Sequence, residues 1–242
     1  MLIFLHKIQK MEETNARVPG CIVENRHITC FDALSAEEKE ILKEHTVDIM
    51  YKKGEVIAKQ GSFASHVIFL KAGLVKVYLE GAGKEVILEI VPSERLLTLS
   101  SLYEGNSTFL YSAATYIDST ASLMEAKIFM QLMRTNSHFA ARVINILNES
   151  TAQLYGRFYA LTCKQSHGRL ADILLCLSKR IYKSLKFDLS LGRNDLADLT
   201  GLSSESVIRI LKEFKDDNLI DFKGKSMEIL NPKSLEKISQ YG

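Results

Sequence analysis

Long apolar runs are missing from this chain of 242 residues, and so are the short signatures of the common catalytic sites. No stretch approaches the roughly 20 apolar residues of a membrane-spanning helix. Met1-Leu-Ile-Phe-Leu5 is interrupted at once by His6 and Lys7, which is too short for a secretory core. There is no glycine-rich phosphate loop, no His-x-x-x-His metal pair and no nucleophile elbow, so an enzyme has no handle in this sequence. Charge of one sign is also scarce. The formal net charge is +2, and from Gln165 onward 13 Lys and Arg stand against 11 Asp and Glu. A nucleic-acid partner would therefore depend on where individual charges sit and not on a bulk field. The four cysteines, Cys21, Cys30, Cys163 and Cys176, lack zinc-type spacing. They read as free thiols in a reducing cytoplasm, too scattered to gather the four thiolates of an iron–sulfur cluster. No metal site is expected. Residues 1–30 read as an N-terminal tail, and within it residues 1–10 as disordered or extraneous to the protein proper, because Met11-Glu-Glu-Thr is a more ordinary soluble start.

What is present is concentrated in Arg193-Asn-Asp-Leu-Ala-Asp-Leu-Thr-Gly-Leu-Ser203 and the residues that follow it to Lys212. The pattern predicts two short helices with Gly201 at the corner. Leu196, Ala197 and Leu199 of the first face an interior. The second starts at Ser203 or Ser204, residue types that accept hydrogen bonds from free helix-terminal amides. Val207, Ile210, Leu211 and Phe214 recur at helical spacing toward the core. Ser204, Glu205, Ile208 and Arg209 fall on the opposite side, with Glu205 and Arg209 one turn apart. An exposed helix with short polar groups at its N-terminus and an arginine one turn later is what a major-groove reader requires. An ordinary helical hairpin with a solvated face would show the same periodicity.

The next segment separates the two readings. Asn218 to Leu230 predicts two short strands turning at Lys223-Gly224-Lys225, with Met227 and Ile229 alternating with polar neighbours. A hairpin with lysines at its tip is a wing able to touch phosphate. Arg193, Ser206, Lys212 and Lys225 complete the candidate DNA contacts.

Upstream, Ser35 and Glu38 predict a capping box at the start of a helix. Short strands then follow at Met50-Tyr51, Val56-Ile57, Val67–Leu70, Leu74–Leu79 and Glu85–Val91, punctuated by Gly54, Gly61, Gly73, Gly81 and Gly83. Many short strands with regular glycines indicate a rolled antiparallel sheet. From Asn136 to Cys163 runs the longest helical pattern, capped by Asn136 or Ser137. Phe139, Val143, Ile146, Ser150, Leu154, Phe158 and Leu161 step along one seam. The rod of about 40 Å is longer than the small roll can cover, so the seam is expected to pack on a second subunit; the alternative is a helix packed wholly within one monomer.

This order of parts resembles the cyclic-AMP receptor protein/fumarate–nitrate regulator (CRP/FNR) family of bacterial transcription factors. The likeness is carried by His167-Gly-Arg-Leu-Ala-Asp-Ile-Leu-Leu175, Asp195–Ser203, Glu205–Lys212 and the roll opening Tyr51-Lys-Lys-Gly54 with Gly61 and Gly73. It implies an α+β chain: a cyclic-nucleotide-binding-like β-roll over 31–135, a dimerisation helix over 136–163 and a winged helix-turn-helix over 164–242. It further implies a cytoplasmic homodimer on palindromic promoter DNA that contacts RNA polymerase, with an effector in the roll controlling the angle of the DNA-binding domains. The other open readings are a dimeric ligand-binding module that does not touch DNA, and a haem-based sensor of the same family using His27, His45, His66 or Met124.

The effector site departs from the best-known members. Where the resemblance places a Gly-Glu pair for a ribose stand Thr98 and Leu99, and where it places Arg-Ser for a phosphate stand Tyr111 and Ser112. Without the guanidinium a phosphate loses a charge-assisted bidentate contact, which argues against cyclic AMP. Leu154 and Tyr155 replace a polar pair on the long helix. Leu99, Ser100, Tyr103, Ser112, Leu154 and Tyr155 are the candidate effector residues, and they describe a more apolar pocket whose occupant is unidentified.

Overall fold

The computed structural model describes residues 30–81 and 84–242. The expectations for the tail, for Cys21, for His27 and for Gly83 fall outside these residues. The described residues begin with a 3-10 turn (Phe31–Ala33) and helix α1 (Ala36–Glu44), whose capping box is formed: Ser35 Oγ accepts from the Glu38 amide at 3.2 Å, and the Glu38 carboxylate accepts from the Ser35 amide at 2.8 Å. The same carboxylate accepts from Asn136 Nδ2 at 2.8 Å, which ties this cap to the start of the long helix 98 residues later.

Eight strands then form the roll: β1 (Thr46–Tyr51), β2 (Val56–Ala58), β3 (His66–Ala72), β4 (Leu74–Gly81), β5 (Lys84–Pro92), β6 (Arg95–Leu97), β7 (Ser112–Thr115) and β8 (Ser119–Glu125). They make two four-stranded antiparallel sheets, β1-β8-β3-β6 and β2-β7-β4-β5. The chain crosses from one sheet to the other between β3 and β4 at Gly73, whose φ is +118°; a Cβ there would lie 2.0 Å from Ser119 Oγ, so only glycine fits. Ile68, Leu70, Val75, Val77, Val91, Leu97 and Ala113 fill the space between the sheets. A β-bulge interrupts β5: Tyr78 pairs with Ile87 but Val77 pairs with Glu89, leaving Leu88 as an extra residue. The extra residue reverses the alternation, so Ile87 and Ile90 share a face and both are fully buried.

Helix α2 (Ala126–Thr135) follows, then the 27-residue helix α3 (Ser137–Cys163), with Asn136 Oδ1 accepting from the Phe139 amide at 3.0 Å. The C-terminal part contains α4 (Ser166–Cys176), a π-helical turn (Leu177–Tyr182), β9 (Lys186–Asp188), α5 (Arg193–Thr200), α6 (Ser204–Asp216), the hairpin β10 (Ile220–Lys223) and β11 (Ser226–Ile229), and α7 (Pro232–Tyr241). Strand β9 adds to the hairpin in the order β10-β11-β9. The chain is α+β, with a β-roll, a long helix and a winged helix-turn-helix. No helix among the described residues is long and apolar enough to cross a membrane.

The dimer seam expected from sequence needs correction. Phe139, Val143 and Ile146 are buried inside their own protomer, packed with Leu34, Phe129 and Leu132. The reason is α2, whose Phe129 and Leu132 cover the first half of α3; Phe129 and Phe139 meet edge-on with ring centroids 5.1 Å apart. Ser150 and Leu161 are half-buried, and only Leu154 and Phe158 of the expected seam are exposed. The exposed stripe is instead Ile144, Asn148, Thr151, Tyr155, Phe158 and Thr162, stepping by four and three in a heptad pattern. The expectation of free thiols is also corrected in part. Among the described cysteines, Cys30 and Cys163 are free, whereas Cys176 is disulfide-bonded.

Candidate nucleic-acid interface and effector site

Helices α5 and α6 meet at Gly201, whose φ of +62° closes α5 in the left-handed conformation. Ser203 is the cap of α6, its Oγ accepting from the Ser206 amide at 3.2 Å. One face of α6 is wholly buried through Val207, Ile210, Leu211 and Phe214. The other presents Glu205, Ile208, Arg209 and Lys212 to solvent. Ser204 Oγ donates to Asn194 Oδ1 at 2.7 Å, which braces the first turn of α6 against α5. Its own backbone amide first, and then the Ser203 hydroxyl, hold the Glu205 carboxyl below its usual pKa, so it is an acceptor at neutral pH. Arg209 Nη1 donates to Glu213 Oε1 at 2.8 Å, and Glu213 Oε2 is 2.6 Å from His167 Nε2. The Arg209 side chain is exposed, and an exposed i,i+4 pair is weak.

The wing is anchored to the helices by stacking. The Arg193 guanidinium lies 5.0 Å from the Phe222 ring centroid, and Lys215 Nζ lies 5.1 Å from it. Arg193 therefore joins α5 to β10, a role its place in the sequence did not reveal. Lys223, Gly224 and Lys225 form the exposed tip.

The candidate effector residues do not come together. Leu99 is buried among Leu34, Met124 and Phe129, while Ser100 and Tyr103 are exposed. Ser112 is fully buried, accepting from the Gln60 amide at 2.9 Å and donating to Glu80 Oε1 at 2.5 Å. The Glu80 carboxylate, kept below its usual pKa first by Lys59 and then by Ser112, is an anion beside that hydroxyl. The Tyr111 hydroxyl accepts from the Thr98 amide at 2.9 Å, and burial pushes its pKa up to about 12. Leu154 and Tyr155 lie elsewhere, on an apolar groove between α3 and β5. The single pocket expected from sequence is thus corrected: Leu154 and Tyr155 line that groove, whereas Leu99, Ser100, Tyr103 and Ser112 do not. His45 bonds to Glu125 and His66 to Ser65; among the described residues no group of three His, Cys, Asp or Glu is placed to hold a metal ion.

The roll and the helix-turn-helix share one apolar cluster. Leu74, Tyr78, Ile87, Ile90, Ala114 and Tyr116 pack with Leu196, Leu199 and the core of the C-terminal part. At this seam the Tyr116 hydroxyl is buried without a partner. Burial raises its pKa, as do Asp195, Asp198 and Glu85 nearby. Burial likewise raises the pKa of Asp198, while Lys76 lowers it.

Two family models match the chain: a cyclic nucleotide-binding domain over residues 49–136 and a Crp-like helix-turn-helix domain over residues 168–238. The transcriptional activator protein Anr of Pseudomonas aeruginosa is 27% identical over 188 residues, covering 74% of this chain and 75% of that one. The cAMP-activated global transcriptional regulator CRP of Salmonella typhimurium is 27% identical over 191 residues, covering 74% and 87%. The chain belongs to the CRP/FNR family of transcription regulators. Its fold is shared with FixK2 from Bradyrhizobium japonicum, at a TM-score of 0.72 and 20% identity over 80% of this chain and 96% of that one. Within this CRP/FNR chain the first matched stretch runs from β1 to the end of α2, the second from α4 through α7, and α3 lies between them. The match to a cyclic nucleotide-binding domain includes the segment in which Tyr111 and Ser112 are bonded internally.

Proposed function

We propose that this chain is a dimeric, sequence-specific DNA-binding regulator whose α6 enters the major groove and whose effector is not a cyclic nucleotide. The observation that carries the reading is the division of α6 into a buried apolar face and an exposed face holding Glu205, Ile208 and Arg209. Arg209 donates to guanine O6 and N7, Glu205 accepts from cytosine N4, and Ile208 presses on a thymine methyl. Ser204 and Ser206 shape the first turn, while Arg193, Lys212 and Lys225 contact phosphate. Two protomers join along Ile144, Asn148, Thr151, Tyr155, Phe158 and Thr162, which sets two recognition helices on half-sites about one helical turn apart. The dimer acts on palindromic promoter DNA in the cytoplasm, with RNA polymerase as its further partner.

Retention of particular genomic fragments in a gel shift, resistant to excess unrelated duplex, supports the regulator; uniform retention or none supports a ligand-binding module without sequence recognition. The internal bonding of Tyr111, Ser112 and Glu80 supports the absence of a cyclic-nucleotide site, since a phosphate at Ser112 would meet the Glu80 carboxylate and no arginine. Calorimetry with millimolar cyclic AMP and cyclic GMP then gives no saturable heat, and a micromolar isotherm would refute this part.

A further inference from the structure

Arg209 has an acid one helical turn away on each side. Glu205 is engaged by its own backbone amide and by the Ser203 hydroxyl, and it is Glu213 whose Oε1 accepts from Arg209 Nη1 at 2.8 Å. Helical side chains lean toward the N-terminus, so the later of two residues four apart reaches back over the earlier one. Glu213 is half-buried at the flank of the reading face, where α6 turns toward α4, while Arg209 and Lys212 are exposed. Its second oxygen is used as well: Oε2 is 2.6 Å from Nε2 of His167 on α4. The His167 ring in turn meets the Phe214 ring edge-on, with centroids 5.9 Å apart. The Glu213 carboxyl is ionised at neutral pH, its pKa lowered first by the His167 bond. An ionised carboxylate only accepts, so Nε2 of His167 carries the hydrogen of that bond. Helix stability does not account for this chain of bonds. Base before acid at a spacing of four is the weaker order of an ion pair, and an acid in the last turn of a helix opposes its dipole.

We propose that Glu213 and His167 are positioning residues for base recognition: His167 fixes the Glu213 carboxylate, and the carboxylate holds the Arg209 guanidinium in the posture that meets a guanine edge. Neither residue touches DNA. The inference rests on the proposed reading of DNA by α6 and adds two specificity-determining residues beside its exposed face. A guanidinium has N–H donors to spare. One goes to Glu213, and the others include the fork that guanine O6 and N7 require. An arginine already ordered by a carboxylate loses less conformational freedom when DNA arrives. Released from Glu213, Arg209 is free to take a phosphate instead, a contact that carries no sequence information. The carboxylate also repels the phosphate backbone, so its presence lowers binding to unrelated DNA. Glu213 thereby favours discrimination at the expense of affinity that is blind to sequence.

The test uses the full chain in anisotropy titrations at one salt concentration, on an operator selected from genomic fragments, on the same operator with the G·C pair assigned to Arg209 changed to A·T in both half-sites, and on an unrelated duplex. Glu213→Ala should lower the preference for the operator over its A·T form about threefold to tenfold per half-site, with affinity for the unrelated duplex unchanged or higher. In the Arg209→Ala background the same change should alter that preference by less than about twofold, because Glu213 acts only through Arg209. His167→Ala should lose part of the preference, and His167→Gln, which still donates an N–H to the carboxylate, should restore it. Thermal melts verify that each variant is folded. Full preference in Glu213→Ala overturns the proposal, as does a loss that persists undiminished in the Arg209→Ala background. Equal weakening on all the duplexes, which a merely structural role would give, overturns it too, and a His167→Gln that behaves as His167→Ala refutes the part given to His167. The two readings fail separately. A wild-type chain with no preference among genomic fragments sinks the regulator and this inference with it, whereas a preference lost in Arg209→Ala and kept in Glu213→Ala sinks this inference alone.

Discussion

Ile144 and Tyr155 lie three turns apart on the exposed stripe of α3, and they are 51% and 67% exposed in the protomer. Complete burial of such a side chain is worth about 1.5–3 kcal/mol, and roughly half of that is still unrealised in each, so a dimer gains about 1 kcal/mol per side chain. Two-fold symmetry uses each residue twice. Ile144→Glu with Tyr155→Glu therefore removes about 4 kcal/mol of association, close to a thousandfold in the dimer Kd, before like charges across the seam are counted. The protomer itself should remain folded, because both positions face water in it. Ile146→Asp is the contrasting change: Ile146 packs with Val143 and Phe129, and an unpaired carboxylate there removes cooperative folding. Light scattering across a hundredfold range of concentration, paired with thermal melts, separates the outcomes. A dimer unaffected by the double glutamate variant, or a well-folded monomer produced by Ile146→Asp, would refute the assignment of the two faces of α3.

Arg209→Ala should weaken operator binding by about 1–3 kcal/mol per half-site and relax discrimination at one G·C pair, with little change in melting temperature; equal weakening on every sequence would show a phosphate contact. Tyr116→Phe removes a buried hydroxyl with no partner, so it should stabilise the chain by about 1–3 kcal/mol and raise Tm by about 2–4 °C per kcal/mol, and an unchanged or lower Tm counts against the seam as described. The Glu213 carboxyl is held below its usual pKa of 4.5, first by its bond to His167 and then by Arg209. A depressed folded pKa gives stability that is present above 4.5 and lost as the pH falls through the lower folded value. Glu213→Gln should therefore flatten stability against pH in the acid range, and an unaltered acid slope would contradict the contribution.

The helix-turn-helix was legible because each of its devices is local. Gly201 closes one helix, Ser203 caps the next, and the spacing of Val207, Ile210, Leu211 and Phe214 states which face is buried. The capping box at Ser35 and Glu38 was legible for the same reason. Strand β7, Ser112-Ala-Ala-Thr115, was not, since it holds none of the large β-branched or aromatic residues that mark a strand; its small side chains serve the crowded interior of the roll. Helix α2 follows β8 without a glycine, a proline or a side-chain cap at Glu125, so nothing in the sequence announced it. Missing α2 is what misdirected the reading of α3, because Phe139, Val143 and Ile146 form a regular stripe whichever partner covers them. The candidate effector residues failed for a tertiary reason: the Tyr111 hydroxyl and Ser112 are bonded within the roll, and Leu154 and Tyr155 line a groove elsewhere, beside the bulge at Leu88.

The central claim, that α6 reads base edges from a symmetric dimer, is tested most directly by dimethyl sulfate protection on an operator selected from genomic fragments. Arg209 at guanine N7 in both half-sites predicts two protected guanines about 10 base pairs apart, both lost with Arg209→Ala while the phosphate footprint survives. Protection of one guanine only, or of two that persist in Arg209→Ala, would contradict it.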